Sequence, residues 1–430
     1  MIKHYFMQAL SQLRQQPIIG VVNVLGTMLA IFLIMLVVMI QQVKVAPFPP
    51  ESNRDRLLHV QGASIVRAST GNGIGNGGMS VQTAKECYKS LETPEAVSIY
   101  SGYAVTVPVS IPKKPAISSK LLQTDEAFWQ IFNFTFIDGS PYDKAIFEAG
   151  QPVAVITERI ARALFGMVTV VGKEFQLNYA PYRVIGVVKD VSTLANTAYS
   201  QIWIPYTSTD IAEDTWVHGH MGAMSVVILA YSQRDFAAIR QEAKKKLETY
   251  NAILEKEDYK FIDRNRPYDQ EKQSIAFGAN WEPDLRAERC DRIIVLLVLL
   301  FIPAINLGSM TQSRLRQRVS EIGIRRAFGC TRLEIMGRII MENFIVTLLA
   351  GVLGLLFSLG FAYWGADFLF MQPFSDASIP TMVNGTILFH ISTFLYALLF
   401  CFILNLLNSG IPAWRASKIG IVKALAGKLH

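Results

Sequence analysis

The chain has 430 residues, 51% of them hydrophobic, and a formal charge of +7. That balance excludes a disordered or collagenous protein and points to a membrane protein. No nucleic-acid-binding motif accompanies the basic excess, so the charge reads as a topology signal and nucleic acid is excluded as a partner.

Residues 1–17 carry Ile2, Tyr5, Phe6, Ala9, Leu10 and Leu13 at helical spacing, a pattern that suits an amphipathic elbow helix on the inner leaflet. Ile18–Ile40 contains no charge and is long enough to cross a hydrocarbon core of about 30 Å. Its apolar core exceeds the roughly 7 to 15 residues of a signal peptide. No small-x-small site follows before Pro47, so the stretch is read as a retained span. Residues 41–291 then form a large outer domain, entered through the proline-rich and charged KVAPFPPESNRDR. Strand patterns at Leu57–Val66, Val97–Ile111, Pro152–Ile156, Tyr182–Val188, Ser225–Leu229 and Tyr259–Ile262 alternate with helical ones at Val81–Leu91, Glu158–Phe165 and Arg234–Ile253. Such alternation implies α+β layers. GNGIGNGG, Gly71–Gly78, lacks the Lys-Ser/Thr of a phosphate loop and reads as a flexible loop tip. His218 and His220 flank a glycine with no third ligand nearby, and no Ser-His-Asp or Cys-His spacing stands out. No catalytic residue, cofactor or metal site is assigned to this chain.

Three more apolar stretches follow, Ile293–Met310, Ile339–Trp364 and Val383–Ile411. The expected fold class is an α-helical membrane protein with four transmembrane helices and a large α+β extracytoplasmic domain inserted between the first and second. The N-terminal arm carries +2, the loop Thr311–Arg338 carries +5 and the tail after Pro412 carries +4. Together these segments hold +11 against a chain total of +7, which leaves −4 for the rest. The excess therefore sits on one face, which the positive-inside rule assigns to the cytoplasm along with both termini. Cys87, Cys290, Cys330 and Cys401 have no metal-ligand or C-x-x-C spacing; Cys87 and Cys290 read as isolated thiols, since Cys290 abuts the second span.

The richest segment is Ser313–Asn343, with seven arginines and three glutamates. Glu321 stands three residues after Arg318 and four before Arg325, within reach of either on one helical face. Gly329 suits a left-handed helix C-terminus. Thr331 and Glu334 spell a T-x-x-E capping box that starts the next helix. The pattern predicts a short basic helix along the membrane, a sharp corner, and a helix climbing into the bilayer. An ordinary positive loop would explain the arginines but not the glycine and the cap. Glu342 is the one acid inside a predicted span and reads as interfacial. Pro303 is expected to kink the second span.

Three blocks in this order resemble the permeases of MacB-like, or FtsX-like, ABC transporters. EIGIRRAFGCTRLEI, Glu321–Ile335, is similar to the family's signature between its second and third spans. PAWRASKIGIVKAL, Pro412–Leu425, resembles its C-terminal tail. PVAVITERIARALFG, VGKEFQL and YRVIGVVKDV, within Pro152–Val191, resemble its periplasmic core domain.

The resemblance implies a coupling helix, about 314–328, that seats in a cytoplasmic ATPase. Its contacts are expected from Ser320, Glu321, Ile322, Gly323, Ile324, Arg325, Arg326, Ala327, Gly329, Thr331 and Arg332. The tail is expected to add Pro412, Arg415 and Lys418. It departs from the family in carrying Gly420, Ile421 and Val422 where an acidic residue and proline are usual.

No G-x-x-x-x-G-K-[ST] occurs in the chain, so the resemblance implies that ATP and Mg bind a separate ABC ATPase. It further implies a second permease copy or sister permease, contact with membrane lipid, and a bacterial inner-membrane location. A periplasmic adaptor or outer-membrane channel is left open. The family's outer domains divide in two, here about 50–115 with 222–290 as the membrane-proximal part and about 116–221 as the inserted part. The expected organisation is completed by a permease domain at 292–411 and a cytoplasmic tail at 412–430.

The implied function is ATP-driven movement of the outer domain to export or extract a peptide, an amphipathic drug-like compound or a lipoprotein. A signalling scaffold that activates a cell-wall hydrolase uses the same mechanics, but that family member has a much smaller outer domain. A conducting channel would need polar residues lining its spans, whereas Asn306, Glu342, Asn384 and Asn405 lie towards span ends.

The charge asymmetry predicts the outcome of single-cysteine labelling with an impermeant thiol reagent. In a cysteine-free background, cysteines at Gly75 and Thr215 should react on cells with a permeabilised outer layer, while cysteines at Arg332 and Arg415 should stay protected. Labelling at Arg332 without labelling at Gly75 would overturn the orientation.

Overall fold

The computed structural model describes residues 17–317, 319–370, 391–410, 413, 414 and 418. The expected elbow helix at 1–16 and most of the tail lie outside them. One compact unit is built on Lys44–Leu285 and a second on the segments that precede and follow it. Helix α1 (Pro17–Val45) begins the described chain.

The unit at Lys44–Leu285 is α+β. Six of its strands close on themselves in the order Ile202–Pro205, Val153–Thr157, Ala180–Val188, Glu174–Leu177, Val105–Ser110 and Ile117–Thr124, and the last pairs in parallel with the first. Helix α2 (Glu158–Phe165) starts on the Thr157 hydroxyl, which accepts from the Ile160 N–H, and stops at Gly166 with φ +77°. Its Ile160, Ala161 and Leu164 join Ile156, Phe175, Val187 and Ile204 in one core.

A single pair, Tyr100 with Thr124, carries the sheet on to Ala96–Ser101, and from there it runs through Met224–Leu229, Leu57–Val60 and Tyr268–Asp269. Helix α3 (Phe236–Leu254) buries Ile239, Ala243, Leu247, Tyr250 and Leu254. This helical stripe forms a second core with Leu58, Tyr88, Val226 and Ile228.

The glycine-rich segment differs from the expected loop tip. Gly73–Gly77 is an edge strand paired with Ala63–Arg67, and the Ser64 hydroxyl donates to Asn76 Oδ1 at 2.6 Å. The glycines serve close approach: a Cβ at Gly75 would lie 2.9 Å from Val217 Cγ2 and one at Gly77 3.3 Å from the Trp216 ring.

The four-span expectation is corrected. Among the described residues, two helices are long and apolar enough to cross a membrane: Val24–Val45, within α1, and Arg332–Trp364. The expected second span lies in α4 (Leu285–Gln317), where Arg286, Glu288, Arg289, Asp291 and Arg292 crowd the first turns. The expected fourth span starts outside the described residues, and its described helix, α7 (Ile391–Asn405), has 15 residues.

The helical unit continues with α5 (Val319–Ala327) and α6 (Arg332–Trp364). Of the expected coupling helix, Arg314–Gln317 and Val319–Ala327 are described as helix. On α6 a stripe of Val346, Thr347, Ala350, Gly351, Gly354, Ser358 and Ala362 is buried. Small residues let helix backbones approach closely in an apolar medium. A Cβ at Gly354 would sit 2.7 Å from the Met28 carbonyl of α1. Phe32 packs edge-on against Phe357 and Phe361, with centroids 6.2 and 5.6 Å away. Gln42 donates to the Ser392 hydroxyl at 2.8 Å.

This contact predicts an asymmetry between two glycines of α6. Gly354→Val should destabilise the purified full chain by about 1–3 kcal/mol, the usual cost of overpacking. Gly360→Val, with nothing within 4 Å of its Cβ position, should leave the unfolding temperature near wild type. Equal thermal shifts would refute close packing at Gly354.

Candidate functional site

The corner between α5 and α6 joins two helix ends within four residues, and its hydrogen bonds account for both. The Cys330 N–H donates to Arg325 O and the Gly329 N–H to Arg326 O, each at 3.1 Å. This is a Schellman closure, which needs a left-handed residue, and Gly329 supplies it with φ +93°. One residue on, the Thr331 hydroxyl accepts from the Glu334 N–H at 3.3 Å, while the Thr331 N–H donates to Glu334 Oε2 at 2.8 Å. Both halves of the capping box are formed.

Under the corner lies a small core of Ile322, Ile335, Ile339 and Ala413, with Cys330, Met336 and Ile340 packed against it. Arg325 Nη2 meets Glu321 Oε1 at 2.8 Å, and Arg338 Nε meets the buried Glu342 at 3.2 Å. Glu342 is therefore ion-paired within α6.

The anticipated residues divide by this geometry. Ser320, Ile324, Ala327, Gly329, Thr331 and Arg332 are exposed, and Glu321, Arg325 and Arg326 are half-buried. Ile322 and Gly323 are buried, so they shape the corner from inside and do not reach its surface. Pro412 and Arg415 lie outside the described residues, as does Arg318, the other expected partner of Glu321. Lys418 is exposed, its ammonium 3.6 Å from the centre of the Trp414 ring.

Sequence reasoning missed the most projecting side chains. Phe328 is 88% exposed and Leu333 73%, beside the anticipated Ile324 at 49%. The available signal was position: Phe328 adjoins the terminating glycine, and Leu333 stands off the Ile335–Ile339 face that packs inward. The result is a rigid corner with an apolar tip flanked by arginines. In the outer unit, the His220 ring meets the Tyr250 hydroxyl at 2.8 Å and the His218 ring packs on Tyr259. Cys87, Cys290 and Cys330 are free thiols.

Two family models match the chain: the MacB-like periplasmic core domain over residues 21–246, and the FtsX-like permease C-terminal domain over residues 293–421. The chain belongs to the MacB-like permease family. Its relatives include the ABC transporter permease YknZ of Bacillus subtilis, 22% identical over 301 residues, with 70% of this chain and 68% of YknZ covered. The macrolide export ATP-binding/permease protein MacB of Vibrio parahaemolyticus is 23% identical over 372 residues, covering 85% of this chain and 52% of that protein. For MacB of Haemophilus ducreyi the figures are 24% over 300 residues, 70% and 39%. The chain thus spans about half or less of the MacB proteins it matches. The crystal structure of the extracellular domain of YknZ aligns at 15% identity and a TM-score of 0.34, over 47% of this chain and 99% of that one.

As a permease of this family, the chain joins a large extracytoplasmic domain to an FtsX-like permease domain.

The capping box gives a test of the corner's rigidity. Thr331→Ala should weaken the start of α6 by about 1 kcal/mol. Amide exchange at Glu334 and Ile335 should then accelerate about fivefold, reporting local opening. Unchanged exchange in the full-length variant would show that the cap does not hold the corner.

Proposed function

We propose that this corner is the seat for the ATPase, and that nucleotide binding and hydrolysis there drive movement of the extracytoplasmic domain. The observation that carries the reading is the exposed Ile324, Phe328 and Leu333 on a backbone fixed by a glycine closure and a capping box. Interfaces concentrate their energy in aromatic anchors surrounded by a polar rim, and Phe328 with Arg325, Arg326 and Arg332 around it has that composition. A fixed corner also loses little conformational entropy on docking.

The same reading places the corner and both termini in the cytoplasm of a bacterial inner membrane. It pairs the chain with a second copy or sister permease, divides the outer domain near residues 116 and 221, and makes the cargo a peptide, an amphipathic compound or a lipoprotein. Handling of cargo outside the membrane fits the size of the Lys44–Leu285 unit. A periplasmic adaptor or outer-membrane channel would extend the route without altering the coupling.

Two substitutions test the seat. Glu321→Arg replaces the partner of Arg325 by a like charge, a local cost of a few tenths of a kcal/mol, too small to unfold the protein. At an interface a misplaced charge costs several kcal/mol. Phe328→Ala removes an apolar anchor from the surface. Both variants should insert normally and recover about tenfold less ATPase on affinity purification from the same membranes. ATPase recovery equal to wild type would refute the seat and leave the arginines as a topology signal only.

A further inference from the structure

We propose that Glu51 and Arg54 form a clasp that fixes the segment following α1, Ala46–Arg54, to the extracytoplasmic sheet, and that they act as positioning residues for its ATP-driven movement. The proposal rests on the mechanical reading given above.

Glu51 is 1% exposed and Arg54 fully buried, at a point a few residues beyond α1. Arg54 Nε donates to Glu51 Oε2 at 2.6 Å, Nη1 to the Ala46 carbonyl at 3.2 Å and Nη2 to the Leu194 carbonyl at 2.6 Å. The guanidinium also lies 4.1 Å from the centre of the Phe48 ring. The second carboxylate oxygen, Glu51 Oε1, accepts from the N–H groups of Thr197 and Ala198, each at 2.8 Å. The pair therefore ties the segment leaving α1 to Leu194–Ala198, which leads into the closed ring of strands at Ile202.

A second tie lies beside it. Gln270 Nε2 donates to the carbonyl of Lys44, in the last turn of α1, at 2.9 Å, and Gln270 Oε1 meets His59 Nε2 at 2.9 Å. Burial pushes His59 down to about 4, so near neutral pH the imidazole orients the amide without adding a charge.

A buried ion pair is weak evidence for stability, because desolvation offsets its attraction. What this pair supplies is geometry: its outward hydrogen bonds go to backbone groups of two segments about 150 residues apart in sequence. Backbone anchors transmit displacement directly, since they cannot rotate away as side chains do.

The test uses the cysteine-free full chain purified with its ATPase and reconstituted in nanodiscs. A donor dye sits on a cysteine at Tyr179, which is 80% exposed, and acceptor dyes on the lipids report the outer domain's displacement when ATP and vanadate are added. Glu51→Gln and Arg54→Met should reduce the nucleotide-dependent change about threefold or more, while ATP hydrolysis stays within about twofold of wild type. The double variant Glu51→Leu/Arg54→Met removes both charges together and keeps the test open if single variants fail to fold. Folded variants that retain the full response would overturn the clasp. A wild-type complex that hydrolyses ATP without any displacement would overturn the mechanical reading and the clasp with it.

Discussion

Everything at the corner depends on the disposal of the polar groups that two helix ends leave unsatisfied. An α-helix leaves four carbonyls free at its C-terminus and four N–H groups at its N-terminus. Here both sets fall within Arg325–Glu334, at the end of a helix long enough to enter a bilayer. Gly329 folds the chain back on two of the carbonyls, and Thr331 with Glu334 closes the start of α6. With those groups satisfied, the side chains are free to face outward, and Phe328 and Leu333 do so.

How much of this was legible follows from the range of each interaction. Gly329, Thr331 and Glu334 act on backbone within four residues, so their roles stand in the sequence as local chemistry. The Thr157–Gly166 helix and the strand before it were readable for the same reason. Gly73–Gly77 was not, because its strand character comes from Ala63–Arg67 and from the Trp216 and Val217 side chains that glycine admits. The projection of Phe328 was hidden by composition: an apolar residue next to a helix end is equally compatible with a buried or a bare position. Ile322, expected among the ATPase contacts by motif, packs instead with Ile335, Ile339 and Ala413.

Of the four expected spans, the described helices that are long and apolar enough correspond to the first and third. Hydropathy averages a window, whereas a bilayer selects uninterrupted helix of sufficient rise. α6 meets that demand along its whole apolar length, and its small-residue stripe lets α1 approach at Gly354.

The corner and the Glu51–Arg54 network solve one mechanical problem under opposite solvent conditions. Force passes through a joint only if the joint deforms less than the parts it connects, and a loop held by its own side chains alone yields first. At the exposed corner, backbone bonds and the Thr331–Glu334 capping box suffice, because water can satisfy whatever remains. Where the Ala46–Arg54 segment packs on the outer unit, water is excluded, and a charged group is tolerated there only when its hydrogen-bonding capacity is met. Glu51 and Arg54 meet that condition by spending their bonds on the backbone of Ala46, Leu194, Thr197 and Ala198. Burial that makes the pair costly to desolvate also makes it costly to open, since separating the partners would strand a charge away from water. The stiffness of the joint and the expense of its charges therefore have the same physical origin.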